Sequence, residues 1–317
     1  MQFIKNIIYS LSAICLLVSC GEKFFDTTLE LPTPDHTPVM AISAFANSTS
    51  TDFLNFKVTR TFGLFEERPD NSQDNLSNAE VKLFEDDNLK YTFVEGGNEF
   101  EPGYIAPITE MFGGEGKTYK LEVSHPDYGT VTATQVMPEP IPLTDVEFRE
   151  LSSGGFDGNT GEFRITFSDP PGEENYYELA AQQTVVYSYE QDGVVYEEEY
   201  EQEIYLGTDG PPDPNVTQGY DWSTMLISDA NFNGQTFTLS AEFYDYTDFG
   251  GEGSGETSNY TLYWRTVSKD YFNYSKSLRE NINAQDNPFA EPVSLYTNVN
   301  GGVGAFCLRS ELIYEVE

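Results

Sequence analysis

The sequence predicts an all-β protein: an N-terminal immunoglobulin-like or transthyretin-like sandwich, followed by a second β-rich domain that contains one helix. Three observations support this fold class. Apolar and polar residues alternate with a period of two in many short runs, as they do in strands that pack on one face. Tyrosine, phenylalanine and valine are frequent in these runs, and turn-forming residues separate them. Only one stretch, at 268–284, has apolar residues at helical spacing.

The first domain is predicted at 39–137. The alternation is clearest at 119–124, where Tyr119, Leu121 and Val123 face one side and polar residues the other. About seven short strands over roughly a hundred residues are typical of a sandwich. The predicted strands are Val39–Phe45, Phe53–Phe62, Ala79–Glu85, Lys90–Glu95, Tyr104–Ile105, Thr118–Ser124 and Thr130–Met137.

A proline-rich link at 138–142 is predicted to separate this domain from a second one at 143–317. Prolines at alternate positions cannot pair within a sheet, so they favour a stiff extended segment. In the second domain, Asp192-Gly193 between two Tyr/Val-rich runs predicts a hairpin turn. The predicted strands are Phe163–Phe167, Tyr176–Tyr189, Val194–Leu206, Thr236–Tyr244, Tyr260–Val267, Val293–Asn298 and Leu312–Val316.

The single predicted helix runs from Ser268 to Ala284. Ser268 is a suitable N-cap, and Asp270 lies where the positive end of the helix dipole favours an acid. The apolar stripe that defines the helix consists of Tyr271, Tyr274, Leu278 and Ile282.

The N-terminus carries an export signal. Lys5 supplies a positive charge, and an apolar run of about a dozen residues follows, which fits a secretory signal peptide at 1–19. Leu17-Val18-Ser19-Cys20 resembles a bacterial lipobox, so Cys20 is the predicted lipidation site, and the acyl chains would anchor the protein in the cell outer membrane. Residues 20–38 include three prolines and are predicted to be a tether.

Composition excludes one class of partner and one class of cross-link. The chain has 53 acidic against 16 basic side chains, a formal net charge of −37, which repels the phosphate backbone of nucleic acids. Cys307 would be the only cysteine with a free thiol in the lipidated, exported chain, so no disulfide is expected within it. Cys307 is predicted to be a buried, unreactive thiol.

Sequence motifs for catalysis are weak, and no catalytic residue is assigned. The two histidines, His36 and His125, lie in predicted loops far apart in the chain, which disfavours a shared zinc ion. No cofactor is predicted other than calcium, for which an acidic, glycine-containing loop is the candidate. The calcium candidates are Asp245, Asp248, Glu252 and Glu256, although a solvated acidic loop without an ion explains the same pattern.

The C-terminal region carries a specific motif. It consists of Asn287-Pro288-Phe289-Ala290-Glu291-Pro292, then Tyr296-Thr297-Asn298, then Gly301-Gly302-Val303-Gly304-Ala305-Phe306. This motif resembles the end of a Bacteroidota lipoprotein family catalogued as domain of unknown function 4249. The resemblance implies an envelope lipoprotein that is often encoded beside a TonB-dependent outer-membrane transporter, and it brings no catalytic residues. We expect a structural role for Asn287, Pro288, Phe289, Glu291, Pro292, Asn298, Gly301, Gly302, Gly304 and Phe306.

Three functions are compatible with these observations. The first is a non-enzymatic envelope lipoprotein that acts as an accessory or binding partner of a TonB-dependent transporter. The second is a surface adhesion or structural lipoprotein, stiffened by calcium. The third, and least favoured, is an enzyme that acts on glycans or peptides.

Overall fold

The computed structural model describes residues 35–63, 66–67, 75–97, 102–108, 112–151, 159–191, 193–207, 213–221, 223–245, 254–285, 291 and 293–316. The chain divides into two compact units, one of residues 1–37 with 63–66 and the other of residues 38–62 with 67–317. All the elements named below belong to the second unit. They are strands, apart from one helix, so the predicted all-β class is confirmed.

Seven strands form the first part of the second unit, and each corresponds to a predicted one. They are antiparallel in the order β1-β2-β5-β4-β3-β6-β7, and their alternating residues are buried as the period of two predicts. The strands are β1 (Met40–Asn47), β2 (Phe53–Arg60), β3 (Glu80–Glu85), β4 (Asn88–Gly97), β5 (Pro102–Pro107), β6 (Thr118–His125) and β7 (Gly129–Val136).

These seven strands curl around one hydrophobic core. Phe56, Tyr104 and Tyr119 are among its largest fully buried side chains. The curl brings β7 back to the segment before the last strand, where Thr132 and Asn300 exchange two main-chain hydrogen bonds of 3.1 and 2.8 Å. The result is a sandwich-like arrangement whose open side is covered by the C-terminal part of the chain.

The second part of the unit combines two layers of strands. One layer has the order β13-β14-β10-β16-β17, and the other is the four-stranded sheet β12-β15-β9-β8. A second core, which includes Phe163, Phe167, Tyr177 and Trp264, is built from the apolar faces of both layers. The strands are β8 (Leu143–Leu151), β9 (Asn159–Ser168), β10 (Tyr176–Gln191), β11 (Val194–Glu203), β12 (Leu206–Gly207), β13 (Val216–Gln218), β14 (Thr224–Ser228), β15 (Thr236–Asp245), β16 (Ser254–Val267) and β17 (Val303–Val316).

Strand β17 joins the two parts. It pairs in parallel with β1 from Ala41–Val303 to Asn47–Arg309, and antiparallel with β16 on its other side. Phe306 and Leu308 point into the first core, whereas Leu312 packs against the second. One continuous sheet therefore runs through both parts of the unit.

The proline-rich segment 138–142 is held by side chains of the last two strands. The Thr266 hydroxyl accepts a hydrogen bond from the Ile141 amide at 3.1 Å, and the Trp264 indole donates to the Ile141 carbonyl at 2.7 Å. The Ser310 hydroxyl donates to the Pro138 carbonyl. The segment has no regular secondary structure. A division into domains at this point stays a prediction.

The helix α1 (Lys269–Gln285) begins at the predicted position. The Ser268 hydroxyl accepts a hydrogen bond from the Tyr271 amide at 3.2 Å, which confirms Ser268 as the N-cap. The predicted apolar stripe is only partly correct, because Tyr271 is buried whereas Ile282 is 39% exposed. The first turns of α1 pack on the sheet, and the residues that share the buried face with Tyr271 are the polar Ser275 and Arg279.

One predicted strand, Val293–Asn298, is wrong. Its main-chain groups bond to side chains instead of to a neighbouring strand. Asn281 donates to the Val293 carbonyl at 2.8 Å, and the Tyr296 amide donates to the Ser277 hydroxyl at 2.9 Å. Side chains of α1 thus hold this segment in an irregular conformation.

Candidate partner-binding surface

The described part of the C-terminal motif makes specific contacts within the fold, and the structural role expected for it stays a prediction. The Asn298 amide bonds to both main-chain groups of Phe306, donating to the carbonyl at 2.7 Å and accepting from the amide at 3.0 Å. Phe306 itself is fully buried in the first core, where it contacts the Phe56 ring edge-on. Cys307, the next residue, is also buried, as predicted, and burial raises the pKa of its thiol.

The motif also forms hydrogen bonds with the first turn of α1. The Tyr296 hydroxyl donates to Asp270 Oδ1 at 2.5 Å, and the Asn298 and Gln135 amides donate to Asp270 Oδ2. The hydrogen bond to Asp270, together with burial, raises the pKa of Tyr296 to about 12. Asp270 therefore joins the helix, the motif and β7.

The glycines of the motif are required for two different reasons. Gly301 and Gly304 adopt φ values of +85° and +103°, which disfavour residues with a side chain. Gly302 does not have a positive φ. A Cβ at Gly302 would instead lie 2.6 Å from the Met40 carbonyl oxygen, so close approach of β1 is what excludes a side chain.

Several candidate residues lie outside the described residues: Cys20, Asp248, Glu252, Asn287, Pro288, Phe289 and Pro292. Asp245 is the last residue of β15, Glu256 lies in β16, and Glu291 is exposed. No three His, Cys, Asp or Glu side chains come together as metal ligands within the described ranges. The calcium site predicted at Asp245, Asp248, Glu252 and Glu256 stays a prediction.

A buried ionic network links the middle of the sheet. Glu178 on β10 is fully buried, and its Oε1 accepts hydrogen bonds from Arg265 at 2.6 Å and Arg309 at 3.2 Å. Its other oxygen accepts from the Tyr271 hydroxyl, and Arg265 also pairs with Glu311 at 2.6 Å. Burial opposes ionisation of Glu178, but the charges of Arg309 and Arg265 outweigh it and lower the pKa of this carboxyl.

The network forms the wall of a polar cavity of about 340 Å³. Its two arginines are matched by two carboxylates, Glu178 and Glu311, and two further acids, Glu203 and Asp221, line the cavity. The cavity therefore offers no excess positive charge to an anion. This balance is typical of a network that fixes the packing of β10, β16, β17 and α1.

The hairpin of β10 and β11 extends beyond the core. The turn prediction is confirmed, because Gln191 pairs with Val194 and Gly193 has a φ of +76°. A register shift lies between Thr184 and Val185, and Val185 is still fully buried. From Val186 to the end of β11, all the described residues of the hairpin are partly or fully exposed.

The two faces of the hairpin differ in chemistry, because alternate residues of paired strands share a face. One face, here called the tyrosine face, carries rings that stack at centroid distances of 5.8 Å for Tyr187–Tyr189 and 5.4 Å for Tyr189–Tyr196. The hydroxyls of Tyr200 and Tyr189 donate to Glu198 on this face and lower the pKa of its carboxyl. The opposite face, here called the acidic face, presents exposed Glu197, Glu199, Glu201 and Glu203.

The outer edge of the hairpin is available for pairing. Within the part of the chain that the structure describes, β11 pairs only with β10. It carries neither lysine nor proline, but five of its ten residues are glutamates, whose charge disfavours pairing with another acidic or neutral strand. An open edge of this kind can accept a strand of opposite charge from another chain through main-chain hydrogen bonds.

Comparison with known proteins places the chain in a family. The model for "Domain of unknown function (DUF4249)" matches residues 26–312, so the chain belongs to this family, and the predicted family is confirmed. No curated protein matches the chain. No helix among the described residues has the length and apolar character needed to cross a membrane.

Proposed function

We propose that the protein is a non-enzymatic, lipid-anchored envelope protein that binds a TonB-dependent outer-membrane transporter as an accessory partner. The observation that carries this proposal is the β10–β11 hairpin, which combines an unpaired edge among the described residues, stacked tyrosines and an acidic face. The resemblance of the C-terminal motif to Bacteroidota lipoproteins supports the choice of partner. The predicted lipid on Cys20 supports the location at the outer membrane.

The hairpin defines what the partner must offer. An extended segment can add to the β11 edge, and its main-chain groups would then bond to those of β11. Lysine or arginine side chains on that segment would lie near Glu197, Glu199 and Glu201, so attraction between charges would speed association. Tyrosine rings supply contact area at low entropic cost on the other face. The expected occupant is thus a cationic, extended segment of the transporter.

Charge reversal of the acidic face tests this function. We expect the triple substitution Glu197→Lys, Glu199→Lys and Glu201→Lys to abolish co-purification of the transporter from envelope membranes, since like charges would then meet at the contact. The amount of barrel protein captured by the tagged lipoprotein is measured by quantitative mass spectrometry. Raising the salt concentration should weaken the wild-type capture, because salt screens exposed charges.

A matched control is available on another edge strand. The substitutions Asp145→Lys, Glu147→Lys and Glu150→Lys make the same change in charge at exposed positions of β8. They should leave capture unchanged. Equal loss in both variants would show that net charge matters and the hairpin does not. If wild type captures no transporter but mediates attachment of cells to a surface, the protein is an adhesion lipoprotein instead.

A further inference from the structure

Two buried aspartates lie close together in the second part of the unit, where β9 and β14 end. Asp169 directly follows β9 and is 4% exposed, and Asp229 directly follows β14 and is fully buried. Asn175, immediately before β10, lies between them in the chain and contacts Asp229 through its main chain. Three separate strand ends therefore bring two carboxylates and an amide to one place.

Hydrogen bonds satisfy only some of the side-chain oxygens in this group. Asp169 accepts from the Gly234 amide at 2.7 Å and from the Tyr177 hydroxyl. Asp229 Oδ2 accepts from the Asn175 amide at 2.9 Å and from the Asn233 side chain at 3.0 Å. Asp229 Oδ1 and Asn175 Oδ1 are shielded from solvent, and neither has a hydrogen-bond partner within the described residues.

No cation within the described part of the chain balances these carboxylates. Neither Asp169 nor Asp229 forms an ion pair there, and the nearby Glu174 carboxylate is paired with Lys269 at 2.6 Å. Burying a carboxylate without a counter-charge is costly. Two buried carboxylates therefore lie close together without a counter-charge among the described residues.

The sequence around Asp229 resembles one that binds a cation. Asp229-Ala230-Asn231-Phe232-Asn233-Gly234 matches the first half of a calcium-binding loop, in which oxygen ligands stand at positions one, three and five and glycine at six. Gly234 has the φ of +74° that this turn requires. The acid that ends such a loop is replaced here by Ser240, and Asp169 from β9 is the carboxylate available in its place.

We propose that Asp169, Asp229 and the Asn175 side-chain oxygen bind a calcium ion, with the unpartnered Asp229 Oδ1 and Asn175 Oδ1 as its first ligands. Hard oxygen ligands of this kind favour Ca²⁺, which accepts irregular coordination more readily than Mg²⁺. The ion would tie the ends of β9, β10 and β14 together. This site is distinct from the acidic loop around Asp248 and Glu252, and it does not depend on the function proposed above.

Thermal unfolding of the purified protein tests the site. We expect the melting temperature to rise with CaCl₂ concentration, to rise far less with MgCl₂, and to fall again with EDTA, since a ligand stabilises the state that binds it. Asp229→Asn keeps the shape but removes the charge, so it should abolish the calcium response. Without calcium, this variant should melt at or above the wild-type temperature, because a buried unpaired charge has been removed.

Two further measurements separate binding from a general effect on folding. Terbium is a calcium substitute whose luminescence is sensitised by nearby aromatic rings, and Tyr177 both bonds to Asp169 and stacks on Trp264 at 5.2 Å. We expect sensitised emission in wild type and its loss in Asp229→Asn. Asn175→Ala, which keeps the main-chain bond to Asp229, should weaken calcium binding by about tenfold or more.

The paired substitutions Asp248→Asn and Glu252→Gln serve as the matched control, and they should leave the calcium response intact. Loss of the response in this control but not in Asp229→Asn would overturn the proposal and place the ion in the other loop. A wild-type protein whose melting temperature ignores calcium, and which gives no terbium emission, would also overturn it.

Discussion

Replacing Glu178 with glutamine is expected to destabilise the protein by about 3–5 kcal/mol, because two arginines would lose their shared buried counter-charge. Glu178 is fully buried and bonds to Arg265, Arg309 and the Tyr271 hydroxyl. The substitution preserves the volume, so the loss reports the charge and the one acceptor oxygen that glutamine lacks, not a change in packing. The free energy of unfolding is measured by urea denaturation monitored through tryptophan fluorescence.

The pH dependence of stability provides a second readout for Glu178. The arginines lower the pKa of this carboxyl in the folded state, so its stabilising contribution is fully present above the unfolded value of about 4.3 and is lost as the pH falls below it. Glu178→Gln should therefore reduce the difference in stability between neutral and acidic pH. The control is Glu174→Gln at an exposed ion pair with Lys269, which should change little. Equal stability losses in the two variants would contradict a special role for the buried network.

Gly304→Ala is the second substitution with a large expected effect. Gly304 lies at the start of the parallel pairing of β17 with β1, its φ is +103°, and a Cβ there would overlap the Ile42 carbonyl oxygen. The variant must either change its backbone or separate the two strands. We expect the free energy of unfolding to fall for two reasons. The left-handed φ angle has its own cost, and the overlap of the new methyl group with β1 adds about 1–3 kcal/mol.

The control isolates the backbone angle. Gly129, the first residue of β7, has a φ of +77°, and nothing lies within 4 Å of the position that a Cβ would occupy. Gly129→Ala should therefore cost only about 1–2 kcal/mol for the left-handed conformation. Both variants are compared with wild type by thermal and urea unfolding. If they lose equal stability, close packing of β17 on β1 does not limit this position.

Most of the fold could be predicted from the sequence because it depends on local patterns. Alternation located all seven strands of the first part, and the Asp-Gly turn located the hairpin. The patterns failed where both faces of a strand are buried, as in Thr224–Ser228, whose run of Met225, Leu226 and Ile227 does not alternate. They also failed at Leu143–Leu151, an edge strand whose charged residues conceal the alternation of Val146 and Phe148.

Contacts between distant parts of the chain were not predictable in the same way. The parallel pairing of β1 with β17 joins residues near the two ends, and no periodicity within either strand specifies the partner. The ionic network around Glu178 likewise unites residues from three strands and a helix. The calcium candidate at Asp229 did have a signal in the sequence, the spacing of Asp229, Asn231 and Asn233, but its second carboxylate, Asp169, comes from another strand.

Photocrosslinking in living cells would show directly whether the hairpin contacts a transporter. A photoreactive benzoyl-phenylalanine is placed at Val195, which is 64% exposed on β11, and in a control protein at Leu89, which is 54% exposed on β4. After irradiation, cross-linked products are identified by mass spectrometry. We expect the Val195 position to form one major adduct with a TonB-dependent barrel, and the Leu89 position to form none. A barrel adduct of equal yield from Leu89, or no barrel adduct from Val195, would contradict the proposed contact between the hairpin and a transporter.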